Sequence, residues 1–259
     1  MRTDQDVKFQ AGDEWLSGRL VLADGSASKP QILFLHGAGK ATKERCLPLA
    51  SRLATEYGLS SFAFDFSGHG TSTGTLENSS LKKRVDEAIA ALDYAGVTEQ
   101  ISLCAFSMGG HVALELVKLR RVRSLVLFYP AVYAREAVDI RFGDPRFSTI
   151  LRSDKSWESS DVFAVLNQFE GSVLIVAGEK DQVIPPEVLK LLYANATRAK
   201  HRQYMVIPDA PHLLLPTVLS NEKLYSEICR IIADGILDGV EAPLAGTPRM
   251  IQPHTNFPE

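Results

Sequence analysis

The sequence has 259 residues, a formal net charge of −3 and 45% hydrophobic residues. This length suits one domain with a single large core, and the small net charge excludes a chain drawn to nucleic acid or anionic lipid by its overall field. The three cysteines are scattered and fit neither a disulfide framework nor a Cys-x-x-Cys metal site. No apolar run approaches the roughly 20 residues of a membrane span, and residues 1–11 lack the apolar core of a secretory signal. The sequence therefore predicts a cytoplasmic protein with no membrane span and no nucleic-acid partner, and it leaves the oligomeric state open.

The chain begins with two strand-like pieces on either side of Gly12 and Asp13, which is typical of an antiparallel hairpin at a sheet edge. Beyond them, short apolar runs alternate with amphipathic helical segments. Such runs are typical of strands buried on both faces, and helical crossovers between them favour parallel pairing. The sequence therefore predicts the α/β class, with a doubly wound, mostly parallel sheet of about eight strands and an antiparallel N-terminal hairpin. The predicted strands cover residues 7–9, 15–22, 32–36, 62–66, 101–106, 125–129, 173–177 and 203–207.

Two segments depart from this alternation. Residues 131–169 contain short helical pieces and a Gly-Asp-Pro break, and they are too long for a plain loop, which predicts a small lid after the sixth strand, over the carboxyl edge of the sheet. Residues 240–259 contain four prolines and little periodicity, which predicts a tail that is disordered or laid along the surface. The expected organisation is a single domain over residues 1–239, with the lid as an insertion, followed by this tail.

A serine motif lies at residues 105–109, between the predicted strand 101–106 and a helical pattern. The nucleophile-elbow motif G-x-S-x-G requires this strand–turn–helix context, because its sharp turn admits only small residues beside the serine. Ala105 stands where the first glycine is usual, and a methyl group is tolerated there. Ser107 is therefore the predicted nucleophile. The alternative is a serine that caps the helix, with glycines that let helix and strand pack closely.

A serine nucleophile needs a base and an orienting carboxylate. Of the six histidines, His212 follows the last apolar strand, in a loop at the carboxyl edge that also carries Ser107. Asp181 lies just beyond an intermediate strand and is the predicted carboxylate, with Glu179 as a nearby rival and Asp139 in the lid as a distant one. A loop histidine bonded to a carbonyl and an aspartate in a turn are each ordinary features. The order serine, aspartate, histidine along the chain is what predicts a triad.

Two backbone N–H groups are predicted to bind the oxyanion of a tetrahedral intermediate. Met108 directly follows the serine, and its N–H is the usual donor of a nucleophile elbow. Residues 36–39 (HGAG) follow an early strand and supply the second donor, for which Ala38 is the first choice and Gly39 the second.

Two phosphate-binding motifs are nearly matched and fail. Residues 34–41 lack the first glycine and the final Ser or Thr of a phosphate loop, since Phe34 and Ala41 stand there. Residues 65–72 approach a dinucleotide fingerprint, but Thr73 replaces a required glycine. This segment is instead predicted to be a structural turn beside the active-site cleft, with Asp65 accepting hydrogen bonds from backbone donors. No metal-ligand spacing is found, and neither a cofactor nor a metal is predicted.

Taken together, the HGAG segment, the 65–72 turn, the elbow at Ser107 and the loops of Asp181 and His212 resemble the α/β-hydrolase superfamily, over residues 15–237. The closest likeness is to the branch of small-lidded esterases, acyl-peptidases and monoacylglycerol lipases. The resemblance implies a two-step mechanism through an acyl-enzyme, without a cofactor, acting on a small-molecule carboxylic ester with a small to medium acyl or aryl group.

Two alternatives stay open at this point. The same triad could serve a peptidase or amidase, or the chain could be a non-catalytic small-molecule-binding protein on a hydrolase scaffold. The aromatic side chains of the lid and its root either line an apolar acyl or aryl pocket or pack the lid onto the body. They are Tyr129, Tyr133, Phe142, Phe147 and Trp157.

Overall fold

The structure is a computed structural model that describes residues 2–23 and 29–237. The predicted tail, residues 240–259, lies outside the described residues, and the division into a single domain, a lid and a tail stays a prediction. Among the helices of the described ranges, none combines the length and apolar composition that crossing a bilayer requires.

The described residues form one eight-stranded sheet in the order β1-β2-β4-β3-β5-β6-β7-β8. β1 pairs antiparallel with β2, and β2 pairs antiparallel with β4, whereas the remaining neighbours are parallel. The predicted fold class is therefore confirmed, including the N-terminal hairpin at the sheet edge. The strands are β1 (Thr3–Ala11), β2 (Glu14–Leu22), β3 (Ile32–Leu35), β4 (Ser61–Phe64), β5 (Ile101–Phe106), β6 (Val122–Phe128), β7 (Ser172–Gly178) and β8 (His201–Ile207).

Helices cover both faces of the sheet, because the central strands are apolar on both sides. In β3, Leu33 and Leu35 belong to one hydrophobic cluster and Ile32 and Phe34 to the other. Helices α2, α3, α5 and α6 contribute to the first cluster, and α1, α7 and α8 contribute to the second. The helices are α1 (Leu47–Tyr57), α2 (Leu81–Tyr94), α3 (Met108–Leu116), α4 (Pro145–Arg152), α5 (Val162–Asn167), α6 (Pro186–Asn195), α7 (Leu215–Ser220) and α8 (Glu222–Leu237).

The lid segment, residues 131–169, follows β6 and contains α4, α5 and two 3-10 turns, Arg135–Ala137 and Ser156–Ser159. Asp144 begins α4 by accepting a hydrogen bond from the N–H of Arg146 at 2.9 Å, and Pro145 occupies the first turn, where its missing N–H costs nothing. The Gly-Asp-Pro break seen in the sequence is therefore a helix start. The parallel strands end at one edge of the sheet, and the loops that follow β3, β5, β7 and β8 meet there.

Candidate active site

Ser107 forms a sharp turn between β5 and α3, with φ 51° and ψ −118°. A positive φ is strained for a serine, so the surrounding structure must hold it. Close packing does so: a Cβ on Gly109 would lie 2.3 Å from the carbonyl oxygen of Leu35, and one on Gly110 would lie 2.6 Å from Cβ of Pro130. The Ser107 side chain makes no capping hydrogen bond to α3, so the alternative role as a helix cap does not describe it.

The structure brings together the three side chains that the sequence singled out as a triad. His212 Nε2 lies 3.1 Å from Ser107 Oγ, and His212 Nδ1 lies 2.9 Å from Asp181 Oδ2. A carboxylate only accepts hydrogen bonds, so Nδ1 carries the proton and the Nε2 lone pair faces the serine hydroxyl. The Asp181 side chain is 3% exposed and the His212 side chain 16%, so the pair is largely shielded from water.

Asp181 is held in place by its own loop. Its Oδ1 atom accepts hydrogen bonds from the N–H groups of Val183 and Ile184, at 2.8 and 3.1 Å. The two rival carboxylates lie elsewhere: Glu179 accepts a hydrogen bond from the Asp209 N–H at 2.9 Å, and Asp139 is exposed in the lid segment. Of the three candidates, Asp181 is therefore the one that contacts the imidazole.

Tyr129 packs against the ring of His212. Its ring meets the His212 ring edge to face, with 4.6 Å between centroids. Tyr129 follows β6 with φ 39°, and its N–H donates to the Val176 carbonyl oxygen at 2.7 Å. Burial raises the pKa of the phenol, which keeps it neutral. The sequence placed Tyr129 among pocket or packing aromatics, and its contact with His212 depends on a backbone conformation that sequence patterns do not reveal.

The two predicted oxyanion donors flank Ser107. Met108 is the first residue of α3, and Ala38 follows Gly37, which packs directly against the serine. A Cβ on Gly37 would lie 3.1 Å from Ser107 Cβ and 3.7 Å from Ser107 Oγ. Within the described part of the chain, neither the Met108 nor the Ala38 N–H donates a hydrogen bond. Both groups are thus free to bind an anionic oxygen, and their role remains a prediction.

Three buried basic side chains lie behind Gly37, and the sequence analysis gave none of them a role in this site. The Gly37 carbonyl oxygen accepts hydrogen bonds from His36 Nδ1 at 2.8 Å and Arg84 Nη1 at 3.2 Å. Arg84 Nη2 lies 3.3 Å from His69 Nε2. Burial lowers the pKa of His36 and of His69, with the nearby Arg84 charge as the next cause, so both imidazoles are neutral at pH 7.

The 65–72 turn is tied to the loop after β3 by a buried ion pair. Asp65 Oδ1 accepts a hydrogen bond from the Lys43 N–H at 2.6 Å, which confirms a backbone donor for this carboxylate. Its Oδ2 atom binds Lys43 Nζ at 2.7 Å, a partner that the sequence did not indicate. The Ser72 hydroxyl donates to the Asp65 carbonyl oxygen at 2.7 Å and closes the turn.

The lid aromatics pack the lid segment onto the body beside the elbow. Phe147 lies 4.9 Å from Phe142 and 6.1 Å from Tyr133, measured between ring centroids. These rings form a cluster with Met108 and with Leu81 of α2. Of the two roles considered for these aromatic residues, Tyr133, Phe142 and Phe147 therefore fit lid packing. Trp157 instead contacts Phe163 of α5.

The chain matches the model of the family described as serine aminopeptidase, S33, over residues 26–154, which include Ser107 but end before Asp181 and His212. Among curated proteins it is similar to protein bem46 of Schizosaccharomyces pombe, 24% identical over 199 residues that cover 74% of this chain and 64% of that protein. It is also similar to S-formylglutathione hydrolase of Arabidopsis thaliana, 28% identical over 124 residues that cover 46% and 41%. The chain thus spans less than two thirds of the length of these relatives.

Several solved structures share the fold. A structure of Est1E from Butyrivibrio proteoclasticus with bound ferulic acid aligns with a TM-score of 0.68 and 20% identity, covering 88% of this chain and 99% of that one. A malate-bound thermophilic esterase from Thermogutta terrifontis gives 0.65 and 19%, covering 88% and 98%. A CIB-like hydrolase from Thermoplasma acidophilum gives 0.65 and 17%, covering 90% and 98%. At these identities the likeness is one of fold.

Proposed function

We propose that this chain, which belongs to the α/β-hydrolase superfamily, hydrolyses carboxylic esters with Ser107 as nucleophile, His212 as base and Asp181 as orienting carboxylate. The observation that carries the proposal is the unbroken pair of hydrogen bonds from Ser107 Oγ to His212 Nε2 and from His212 Nδ1 to Asp181 Oδ2. A carboxylate on Nδ1 leaves Nε2 as a proton acceptor, which is the state a general base needs.

The first half of the reaction forms an acyl-enzyme. His212 Nε2 takes the proton of Ser107 Oγ as the oxygen attacks the ester carbonyl carbon, and the carbonyl oxygen becomes an oxyanion. The N–H groups of Met108 and Ala38 bind that oxyanion, with the N-terminal end of α3 adding a favourable dipole. The C–O bond to the alcohol then breaks, and the alcohol leaves with the proton from His212.

The second half releases the acid. Water attacks the acyl carbon and gives a proton to His212 Nε2, and a second oxyanion forms at the same two N–H groups. When this intermediate collapses, Ser107 Oγ leaves and recovers its proton from His212. The cycle consumes one water per ester and needs no group beyond these residues.

Esters of small to medium acyl or aryl acids are the proposed substrates. The residue next to the nucleophile, Met108, belongs to an apolar cluster with the lid rings, so the neighbourhood of Ser107 is apolar and supports a substrate with a hydrophobic acid. Est1E, which shares the fold, is described with ferulic acid, an aromatic acid, and this supports aryl esters among the candidates.

Ester turnover by the purified chain tests the proposal. A series of p-nitrophenyl esters with acyl chains from two to ten carbons, together with an aryl ester, gives the preferred acid. We expect Ser107→Ala to abolish this turnover, whereas Ser153→Ala, an exposed serine of the lid segment, retains it. Folded wild-type protein that turns over none of these esters contradicts the proposal, as does a Ser107→Ala variant with wild-type rates.

A second candidate, cleavage of peptides or amides, is favoured by the family match to serine aminopeptidases. An aminopeptidase also needs an acidic group for the free amine of its substrate. In the loop after β7, Asp181 is engaged with His212 and does not offer that group, whereas Glu179 bonds the Asp209 N–H through one oxygen only. Aminoacyl-arylamide turnover above the best ester turnover would favour this candidate. A non-catalytic binding role predicts that neither substrate class is turned over.

A cytoplasmic location is part of the same proposal. Cys46, Cys104 and Cys229 are all buried and free of disulfides, as expected for a reducing compartment.

A further inference from the structure

Arg84 is a fully buried cation on α2. Its side chain is 0% exposed, and no carboxylate of the described residues lies within ion-pair distance, although the charge of the buried Glu87 on the same helix acts on it. The guanidinium carbon lies 4.8 Å from the ring centroid of Phe66 and 5.3 Å from that of Phe142, a residue of the lid segment. Its Nε atom has no hydrogen-bond partner among the described residues. Burying a charge that no carboxylate contacts is costly, so the hydrogen bonds that Arg84 does make are important for keeping it in place.

Arg84 donates hydrogen bonds in two directions. Nη1 binds the Gly37 carbonyl oxygen at 3.2 Å, and Nη2 lies 3.3 Å from His69 Nε2. His69 Nδ1 lies 3.2 Å from the Ser67 carbonyl oxygen, which can only accept, so in this tautomer Nε2 presents its lone pair to Arg84; the Gly39 carbonyl is a further acceptor beside the ring. The guanidinium therefore bridges the loop after β3 and the 65–72 turn.

The Gly37 carbonyl is fixed by a second donor on the same oxygen. His36 Nδ1 donates to it at 2.8 Å, while His36 Nε2 accepts the Phe66 N–H at 3.1 Å. The Gly37 carbonyl and the Ala38 N–H belong to one planar trans peptide, in which they point in opposite directions. Two donors that hold the carbonyl on one side thus determine where the Ala38 N–H points on the other.

We propose that Arg84 is a positioning residue of the oxyanion hole, which orients and polarises the Gly37–Ala38 peptide so that the Ala38 N–H meets the oxyanion. This inference rests on the proposed ester hydrolysis. A donor on the carbonyl oxygen of a peptide strengthens the hydrogen bond that its N–H can give. Arg84 also attracts the negative charge that develops on the substrate, because no carboxylate contacts it and the buried Glu87, whose charge acts on it, bonds the Ser67 N–H instead.

These effects distinguish Arg84 from a residue that only fastens the lid. The oxyanion exists in the transition state and not in the bound ester, so its stabilisation raises kcat and leaves KM nearly unchanged. A role limited to the contact with Phe142 would instead change thermal stability or substrate access.

The test compares Arg84→Met with Lys82→Met, which removes an exposed cation from the same helix. Lys82 is 58% exposed and pairs with Asp86 at 2.9 Å, away from Gly37. The measurements are kcat and KM for one p-nitrophenyl ester, the inhibition constant of a trifluoromethyl ketone that forms a tetrahedral oxyanion adduct with the serine, and thermal unfolding. Phe142→Leu, which removes the lid ring but leaves the bond to Gly37, completes the set.

We expect Arg84→Met to lower kcat and weaken the ketone by about 10- to 100-fold, with KM within about twofold of wild type. Lys82→Met should match wild type, and Phe142→Leu should keep kcat within about threefold. Folded Arg84→Met with wild-type kcat and ketone affinity overturns the inference, as does a Phe142→Leu variant that loses as much kcat as Arg84→Met.

If Arg84→Met does not fold, the kcat and KM of Arg84→Lys test the inference instead. A lysine keeps the charge but replaces the planar fork, whose two terminal nitrogens reach Gly37 and His69, with a single ammonium nitrogen, so it should not keep both bonds, and kcat should fall about three- to tenfold at unchanged KM. Wild-type kcat in this variant overturns the inference. If the wild type turns over esters and the Arg84 variants do so equally well, only the role of Arg84 is contradicted. If the wild type turns over no ester, the proposed function is contradicted, and this inference with it.

Discussion

Replacing Asp181 with Asn removes one negative charge from the site while keeping the size of the side chain. Asp181 Oδ1 accepts hydrogen bonds from the N–H groups of Val183 and Ile184 at 2.8 and 3.1 Å. The amide oxygen of the variant must therefore take this position, because an NH2 group there would face two donors. The NH2 group then faces His212 Nδ1 and can only donate to it, which moves the imidazole proton to Nε2, opposite Ser107 Oγ.

In this tautomer the imidazole cannot accept the serine proton. The equivalent carboxylate-to-amide change in the Ser-His-Asp proteases lowers kcat about 10⁴-fold, which corresponds to roughly 5.5 kcal/mol of transition-state stabilisation. Asp181 is nearly as buried as a core residue, with a side chain 3% exposed, so water does not replace the lost charge. We expect kcat to fall about 10³- to 10⁴-fold and KM to change by less than about threefold.

Initial rates on the best p-nitrophenyl ester measure this effect, with thermal unfolding as a check that the variant is folded. Glu179→Gln is the matched control, because it makes the same chemical change in the neighbouring carboxylate, whose bond to the Asp209 N–H an amide oxygen preserves. This control should stay within about twofold of wild type. An Asp181→Asn variant that retains more than about a tenth of the wild-type kcat refutes the tautomer argument, as does an equal loss in Glu179→Gln.

Three further predictions concern stability and loop geometry. Burial lowers the pKa of His111 from 6.5 to about 3, so the unfolded chain binds more protons between these values and stability falls on acidification. Urea unfolding at pH 7.5 and 5 should show His111→Asn to be less acid-sensitive by about 2 kcal/mol, and equal sensitivity would count against a neutral His111. Asp65→Ala leaves the Lys43 ammonium buried without its carboxylate and should lower the free energy of unfolding, measured in urea, by about 3–5 kcal/mol. A decrease of less than about 1 kcal/mol would contradict this prediction. Gly37→Ala places a Cβ 3.1 Å from Ser107 Cβ and should lower kcat about tenfold or more without unfolding, whereas unchanged kcat would contradict the close approach.

Much of the architecture could be predicted because it depends on local apolar patterns. Strand β5 (Ile101–Phe106) has the predicted bounds, since all six of its residues are buried and all but Ser102 are apolar. Strand β1 (Thr3–Ala11) is longer than the predicted piece at 7–9, because its first four residues are exposed and carry no hydrophobic signal. The residues of the triad could be chosen because parallel strands end at one edge, where their loops meet.

The hydrogen bonds from Arg84 and His36 to the Gly37 carbonyl could not be predicted in the same way. Lys82, Lys83 and Arg84 are consecutive cations, a pattern typical of a solvated helix face. Helical periodicity gave a weak indication that position 84 is buried, since it shares a helix face with the buried residues Leu81, Val85 and Ala88. That Arg84 reaches a particular carbonyl depends on contacts between distant segments, which no local pattern encodes.

The nucleophile is the central claim, and covalent labelling tests it most directly. A fluorophosphonate probe reacts with a serine only where a base activates it, and mass spectrometry locates the modified residue. The predicted result is a single label on Ser107 of the folded protein, lost in Ser107→Ala and after heat unfolding. Folded protein that takes no label, or takes it on another serine, contradicts the account.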